Sequence, residues 1–241
     1  MTESKVKFLV GNESIIGTSF RPKKSNGNGV LFFHGWGSSR NGYVDRAKAL
    51  ANLGYDCLII DFRGFGESEG ILAELSNSDH LDDAIAAYDF LKDNTKSSKI
   101  SACGASYGGY LCAMLSGKRE LFSIVMRVPG IYQDKIFQKK NYTQEKQLLD
   151  EICKFKKDKD FINSEAIKNI QSFEGYILIV GSTNDVKIPN RVVEAYYDSA
   201  TNAAKRQLIW MDGAGHSLAN SEYQKQYINI LVDWFGSLLN Y

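Results

Sequence analysis

The chain contains 241 residues, of which 44% are hydrophobic and 24% are charged, and its formal net charge at pH 7 is +1. This is the composition of an ordinary globular protein that can bury one sizeable core. Because the charges nearly cancel and form no basic stripe, neither nucleic acid nor an anionic membrane surface is expected as a partner. The longest apolar runs are too short to span a bilayer. The first residues, MTESKVKFLVG, have no signal-peptide pattern, so we expect a cytoplasmic protein.

The cysteines indicate free thiols and no metal site. Cys57, Cys103, Cys112 and Cys153 form no C-x-x-C pair and have no metal-ligand spacing with the three histidines. Cys57 and Cys103 lie in apolar runs, where a free cysteine is usually a small buried hydrophobic residue. Reduced thiols also fit the expected compartment.

Strands and helices alternate along the chain. The runs KVKFLV and SIIGTSF are predicted to form a hairpin around the turn GNE. Six further apolar runs predict strands: GVLFFHG, YDCLII, KISACGAS, LFSIVMRVPG, GYILIVGSTND and RQLIWMDGAG. Amphipathic patterns predict helices at about residues 43–53, 79–94, 107–117, 189–200 and 223–239. This alternation predicts an α/β fold, with a mostly parallel sheet and helices on both faces.

Residues 131–172 interrupt this alternation. The segment is charged and helical in pattern, with apolar residues at Leu148, Leu149, Ile152 and Phe155. It is either a solvated helical crossover between two strands or a lid over a cleft at the strand ends. Its length favours the lid, because packing alone needs a much shorter connection. We predict a small helical cap there.

The residues Gly104-Ala105-Ser106-Tyr107-Gly108 match the pattern G-x-S-x-G between a predicted strand and a predicted helix. A sharp strand–turn–helix bend forces the serine into a strained conformation, so positions two before and two after it must lack side chains. The bend projects the serine hydroxyl above the sheet. A plain tight turn is the alternative, but this context favours a nucleophile elbow, with Ser106 as the nucleophile.

A serine hydroxyl needs a neighbouring base to act as a nucleophile. His216 follows the last predicted strand, where its side chain faces the same cleft as Ser106. His34 lies in a segment better suited to presenting backbone groups. His80, near the start of a charged helix, is expected at the surface. His216 is therefore the predicted base.

The base needs an acid that orients its ring and stabilises the imidazolium. Asp185 follows the run YILIV and precedes a predicted helix, so it lies at the same edge of the sheet. Asp61 competes for this role but is expected to brace its own loop with Arg63, and Asp212 to cap the loop that carries the base. We predict Asp185, which puts the three residues in the chain order Ser, Asp, His.

The developing oxyanion needs hydrogen-bond donors. The N–H of Tyr107, directly after the nucleophile, is one candidate. The N–H of Trp36, in the segment HGWG after the third predicted strand, is the other. Glycines in that segment let the backbone approach a substrate closely. The indole of Trp36 then forms a wall of the acyl pocket, or it is a plain core residue.

These motifs resemble those of the α/β-hydrolase superfamily over almost the whole chain, and they occur in family order: residues 34–37, 61–68, 104–109, Asp185 and His216. The segment DFRGFGES looks like the D-x-R-G-x-G-x-S segment of the serine-peptidase-like, feruloyl-esterase-like and monoglyceride-lipase-like branches. In that resemblance the loop is structural and is held together by Asp61 and Arg63. The resemblance implies a single domain over residues 1–241, with an eight-stranded sheet and a variable cap after the sixth strand, where residues 131–172 fall.

These observations predict a serine hydrolase that forms an acyl-enzyme on Ser106 and needs no metal or organic cofactor. The resemblance and the modest cap favour carboxylic esters of small to medium acyl length, so the expected partner is a small-molecule ester or acyl substrate. A peptidase, a thioesterase or an acyltransferase would use the same three residues. A non-catalytic binding protein of the same fold is the alternative from another class. Arg127, at the end of a buried strand, binds a substrate carboxylate, pairs with a local acid or extends to solvent.

Overall fold

The computed structural model describes residues 1–140, 154–156 and 160–239. Within them, the strands are β1 Thr2–Val10, β2 Glu13–Arg21, β3 Asn28–Phe33, β4 Asp56–Ile60, β5 Lys99–Ala105, β6 Ser123–Arg127, β7 Tyr176–Ser182 and β8 Lys205–Met211. The α-helices are α1 Val44–Asn52, α2 Asn77–Asn94, α3 Tyr107–Ser116, α4 Glu165–Gln171, α5 Asn190–Ser199 and α6 Ser221–Ser237.

The strands form one eight-stranded sheet in the order β1-β2-β4-β3-β5-β6-β7-β8. The pairs β1/β2 and β2/β4 are antiparallel, and the other neighbours are parallel. The chain leaves β3 toward β4 on one side and later returns to β5 on the other side. Ligands of such sheets bind at this reversal, beyond the carboxyl ends of the strands. The predicted α/β class, the hairpin and the eight-stranded, mostly parallel sheet are confirmed.

Helices cover both faces of the sheet and create two cores. The helices α2, α3, α4 and α5 bury apolar side chains on one face, including Ala84, Leu111 and Val192. The helices α1 and α6 bury theirs on the other face, including Leu50 and Trp234. Strands buried on both faces explain why the central runs are almost continuously apolar.

Helix boundaries follow capping residues. The helix α2 begins two residues before the predicted start, because Ser76 and Asp79 form a reciprocal capping box. The helix α6 also begins earlier than predicted, because the Asn220 side chain accepts the N–H of Glu222. Pro189 directly precedes α5, where its missing N–H costs nothing.

The described part of residues 131–172 packs against the body of the protein. The helix α4 buries Ala166, Ile167 and Ile170 in the core beside α3 and α5. The ring of Phe155 lies 6.4 Å from that of Phe161. The other residues of the predicted apolar pattern, at 148, 149 and 152, lie outside the described residues, so the cap stays a prediction.

Cys57, Cys103 and Cys112 are buried free thiols, which confirms the prediction for the first two, and Cys153 lies outside the described residues. In the part of the chain that the structure describes, no helix combines the length and apolarity needed to cross a membrane. Nor do the described His, Cys, Asp and Glu side chains form a group of three that would hold a metal ion.

Candidate active site

The bend between β5 and α3 holds Ser106 in a strained backbone conformation. Its φ is 53° and its ψ is −116°, a region that non-glycine residues rarely adopt. A Cβ atom on Gly104 would lie 2.3 Å from the carbonyl oxygen of Gly108. A Cβ atom on Gly108 would lie 2.1 Å from the carbonyl oxygen of Phe33. Close backbone approach therefore requires glycine at both positions, as predicted.

Ser106, His216 and Asp185 form a continuous chain of hydrogen bonds. Ser106 Oγ lies 3.1 Å from His216 Nε2, and His216 Nδ1 lies 2.7 Å from Asp185 Oδ2. Because an ionised carboxylate can only accept, Nδ1 carries the ring proton and donates it to Asp185. In the neutral ring, Nε2 is then free to accept the hydrogen bond of the Ser106 hydroxyl. The three predicted side chains meet in the geometry that base-assisted attack requires.

The loop after β7 holds Asp185 in its charged form. Its Oδ1 atom accepts the N–H groups of Lys187 at 2.7 Å and Ile188 at 2.9 Å. Burial raises the pKa of Asp185, but the hydrogen bonds from His216 and from these two N–H groups bring it below its ordinary value. The carboxylate is therefore ionised at neutral pH and can stabilise an imidazolium on His216.

Backbone strain in the described residues is concentrated around these side chains. Besides Ser106, two non-glycine residues have φ in the left-handed region, Val128 at 38° and Leu218 at 48°. Val128 directly follows Arg127 at the end of β6, and Leu218 lies two residues after His216. Conformations of this kind persist only where the surroundings impose them, and they cluster at functional sites.

The segments that carry the two predicted oxyanion donors lie beside Ser106. Tyr107 is the first residue of α3, where N–H groups point outward and the helix dipole favours negative charge. The segment 34–37 approaches from β3: a Cβ on Gly35 would lie 3.6 Å from Ser106 Cβ. Trp36 lines the same cavity as Ser106. Their role as donors stays a prediction.

Comparison with known proteins identifies the family. A sequence model described as the prolyl oligopeptidase family matches residues 42–241. The chain belongs to the prolyl oligopeptidase family. Among curated proteins, none matches the chain in sequence.

Several solved structures share the fold of this chain. The esterase Pf2001 from Pyrococcus furiosus is 22% identical, with a TM-score of 0.73 over 98% of this chain and 92% of that chain. Est1E from Butyrivibrio proteoclasticus, with ferulic acid bound, is 14% identical, with a TM-score of 0.77 over 98% and 100%. A predicted CIB-like hydrolase from Thermoplasma acidophilum is 17% identical, with a TM-score of 0.71 over the full length of both chains. At these identities the likeness shows the α/β-hydrolase fold, which confirms the resemblance read from the motifs.

Ion pairs stabilise the loop 61–68 of this α/β-hydrolase, but they are not the pair that the sequence predicted. The Asp61 carboxylate pairs with the guanidinium of Arg40 and accepts the N–H groups of Arg40 at 2.7 Å and Glu67 at 3.0 Å. Arg63 instead pairs with Asp83 on α2, at 2.6 Å. The predicted pair of Asp61 and Arg63 is therefore wrong, because the two side chains leave the loop toward different elements.

His80 is fully buried, so its predicted surface position is wrong. Its Nε2 donates to the carbonyl oxygen of Arg63 at 3.0 Å, and its Nδ1 is hydrogen-bonded to the hydroxyl of Tyr107 at 2.8 Å. Burial lowers the pKa of His80 to about 4, which keeps the ring neutral and this arrangement intact. His80 therefore supports the residue that follows the nucleophile.

His34 and Asp212, the other candidates for the base and the acid, form hydrogen bonds to other groups. The His34 ring accepts the N–H of Phe62 at 3.2 Å and contacts the carbonyl oxygen of Gly35 at 2.9 Å. It thus supports the backbone of its segment. Asp212 accepts from Thr183 Oγ1 at 3.1 Å.

A cavity of about 390 Å³ opens at Ser106. Of the residues singled out in the sequence, Trp36, Ser106, Arg127 and His216 line it. Sequence reasoning missed several other side chains that line it: Tyr43, Arg46, Lys187, Gln224 and Tyr227. They come from α1 and the residue before it, from α6 and from the loop after β7, and none belongs to a motif that indicates a binding residue.

Arg127 is buried in the wall of this cavity, with 6% of its surface exposed. Its Nη2 donates to the carbonyl oxygen of His216 at 2.5 Å, and its Nη1 donates to Ser182 Oγ at 3.3 Å. It neither extends to solvent nor pairs with a carboxylate among the described residues. Substrate binding therefore stays a prediction for Arg127.

A larger cavity, of about 500 Å³, lies at the opposite edge of the sheet. Lys99, at the start of β5, and Gly175, just before β7, line it, and it contains none of the candidate catalytic residues. Because ligands of parallel sheets bind beyond the carboxyl ends of the strands, the smaller cavity is the better candidate.

Proposed function

We propose that this protein is a serine hydrolase that cleaves carboxylic esters of small to medium acyl length through an acyl-enzyme on Ser106. The observation that carries the proposal is the hydrogen-bonded chain from Ser106 through His216 to Asp185, with distances of 3.1 and 2.7 Å. A cavity of about 390 Å³ suits a small acyl group.

In the acylation step, Ser106 Oγ attacks the ester carbonyl carbon while its proton moves to His216 Nε2. The carbonyl oxygen becomes an oxyanion, which the N–H groups of Trp36 and Tyr107 stabilise. The bond to the alkoxy group then breaks, and that group takes the proton from His216 and leaves as an alcohol. Asp185 keeps the ring oriented and stabilises the imidazolium that forms in between.

Deacylation repeats this sequence with water. Water attacks the acyl carbon as His216 takes one of its protons, and the Ser106 ester bond then breaks. The proton returns to Ser106, and the carboxylic acid leaves. No cofactor is required at either stage.

Peptide hydrolysis is the second candidate, because the family model that matches residues 42–241 is named for an oligopeptidase. The structural neighbour Pf2001 is an esterase, which favours esters. Thioesterase and acyltransferase activity would use the same residues. A panel of p-nitrophenyl esters, thioesters and aminoacyl amides, assayed with the pure protein, separates these candidates.

The variant Ser106→Ala tests the proposal. Removing the nucleophile is expected to lower kcat for a p-nitrophenyl ester by roughly 10⁴–10⁶-fold. The control is Ser116→Ala at the far end of α3, because the Ser116 hydroxyl donates to the carbonyl oxygen of Ala113 and to no other group in the described residues. A fluorophosphonate probe should label the wild type and not Ser106→Ala. Unchanged hydrolysis by Ser106→Ala, or an unlabelled wild type, would contradict the proposal and favour a non-catalytic binding protein.

A further inference from the structure

The cavity beside Ser106 has a positively charged wall, formed by Arg46, Arg127 and Lys187. Among the described residues that line the cavity, none is Asp or Glu. Nor is any of them Leu, Ile, Val, Phe or Met, so the described lining offers little surface to a long alkyl chain. This distribution of charge suits an anionic ligand.

Within the described part of the chain, Arg127 is a buried cation without a carboxylate partner. Three arginines in the described residues are buried, Arg40, Arg63 and Arg127. The first two pair with the buried carboxylates of Asp61 and Asp83. Arg127 donates only to neutral oxygens, while a guanidinium has five N–H donors. Because a buried charge is costly unless it is paired, Arg127 would gain most from an anion that enters the cavity.

Arg46 is held on the same wall by aromatic rings. Its guanidinium carbon lies 5.1 Å from the ring centre of Tyr43 and 5.4 Å from that of Tyr227. The guanidinium carbon of Arg127 lies 5.8 Å from the same Tyr227 ring. Arg46 donates from Nη1 to the carbonyl oxygen of Gly42, and its Nε is shielded from solvent and has no hydrogen-bond partner among the described residues. The guanidinium groups of Arg46 and Arg127 therefore both lie beside the Tyr227 ring, and both have N–H donors that could bind a ligand.

We propose that Arg46 and Arg127 bind a carboxylate of the substrate, so that the preferred esters are short and carry a carboxylate. The half-ester of a short dicarboxylic acid is one such substrate. This inference rests on the proposed function, because it concerns the substrate of the same serine. Lys187, which is exposed at the mouth of the cavity, adds positive charge on the entry path.

Matched pairs of esters test the inference in the wild type. The mono-p-nitrophenyl ester of glutaric acid carries a carboxylate on the acyl side, and p-nitrophenyl valerate is its neutral counterpart. The pair 4-acetoxybenzoate and 4-acetoxybenzamide moves the charge to the alcohol side. In at least one pair, kcat/KM is expected to be about tenfold or more higher for the anionic ester. The pair that shows this preference identifies whether the acyl side or the alcohol side of the ester faces the positively charged wall.

The variant Arg46→Gln should reduce this ratio of anionic to neutral kcat/KM toward one. The matched control is Lys48→Gln, which removes one positive charge from the same helix outside the cavity lining and should keep the ratio. Lys48 pairs with Glu3 at 3.0 Å. A ratio near one in both pairs of the wild type, or an equal drop in both variants, would overturn the inference.

Binding to the Ser106→Ala variant separates this inference from the proposed function. Calorimetry compares monomethyl glutarate with its neutral terminal amide, and the anion is expected to bind about tenfold or more tightly. Serine-dependent hydrolysis without any preference for anions would overturn the inference and leave the proposed function intact. Anion-selective binding without serine-dependent hydrolysis would support the charged wall and contradict the hydrolase.

Discussion

Replacing Asp185 with asparagine changes the chemistry of the candidate site with almost no change in size. In the wild type, Oδ1 accepts two backbone N–H groups, from Lys187 and Ile188, and Oδ2 accepts from His216. Asparagine has one acceptor oxygen. The two backbone donors hold that oxygen in the Oδ1 position, so the amide NH2 group faces His216 Nδ1.

This arrangement moves the proton of the neutral His216 ring from Nδ1 to Nε2. An NH2 group donates, so Nδ1 must accept and the ring proton moves to Nε2. A protonated Nε2 cannot take the proton of Ser106, which lies 3.1 Å away. The expected loss in kcat is about 10⁴-fold, which corresponds to about 5 kcal/mol of transition-state stabilisation.

The assay is kcat/KM for a p-nitrophenyl ester near neutral pH, with thermal unfolding as a check on folding. Asp212→Asn is the matched control, because Asp212 also follows a strand at this edge and, among the described residues, accepts only from Thr183. We expect the control to stay within about threefold of wild type. A folded Asp185→Asn variant that stays within about tenfold of wild type would refute the assigned role of Asp185.

Two further predictions concern stability. Gly108→Ala places a Cβ 2.1 Å from the carbonyl oxygen of Phe33, so urea unfolding should show a loss of more than about 3 kcal/mol. Gly236→Ala, with no atom within 4 Å of its Cβ, should be neutral or up to about 1 kcal/mol stabilising. Because the pKa of buried His80 is lowered from 6.5 to about 4, the unfolded chain binds more protons between these pH values. The contribution of His80 to the free energy of unfolding should therefore be full above pH 6.5 and fall by up to about 3 kcal/mol as the pH drops toward 4. Urea unfolding of His80→Gln at several pH values tests this. A variant that shows the same dependence of stability on pH as the wild type would contradict the prediction.

The candidate catalytic residues could be predicted from the sequence because each carries a local signal. The spacing of Gly104 and Gly108 around Ser106 reflects a steric requirement of the bend itself. Asp185 and His216 each follow a strand, and the carboxyl ends of parallel strands meet at one edge of the sheet. Local pattern and topology together were therefore sufficient to bring these three side chains into contact.

The buried polar pairs could not be predicted in the same way. Asp61 pairs with Arg40, which lies 21 residues away in sequence, and no pattern in either segment indicates the other. His80 did have a signal that was overlooked. It shares a helix face with Ala84, Ala87 and Leu91, and this spacing outweighs the charged neighbours that suggested a surface position.

Several features that cost stability in this fold lie around one cavity. Ser106 and Leu218 have positive φ angles, and Arg127 is buried in the cavity wall without a carboxylate partner among the described residues. Away from the cavity, the same fold neutralises buried guanidinium groups, as Arg40 and Arg63 show. A protein that pairs its buried charges elsewhere has no structural need to leave one unpaired here. We therefore propose that the strain at Ser106 serves to present its hydroxyl and that the buried charge of Arg127 serves to bind a ligand in this cavity, since neither improves the folded state by itself.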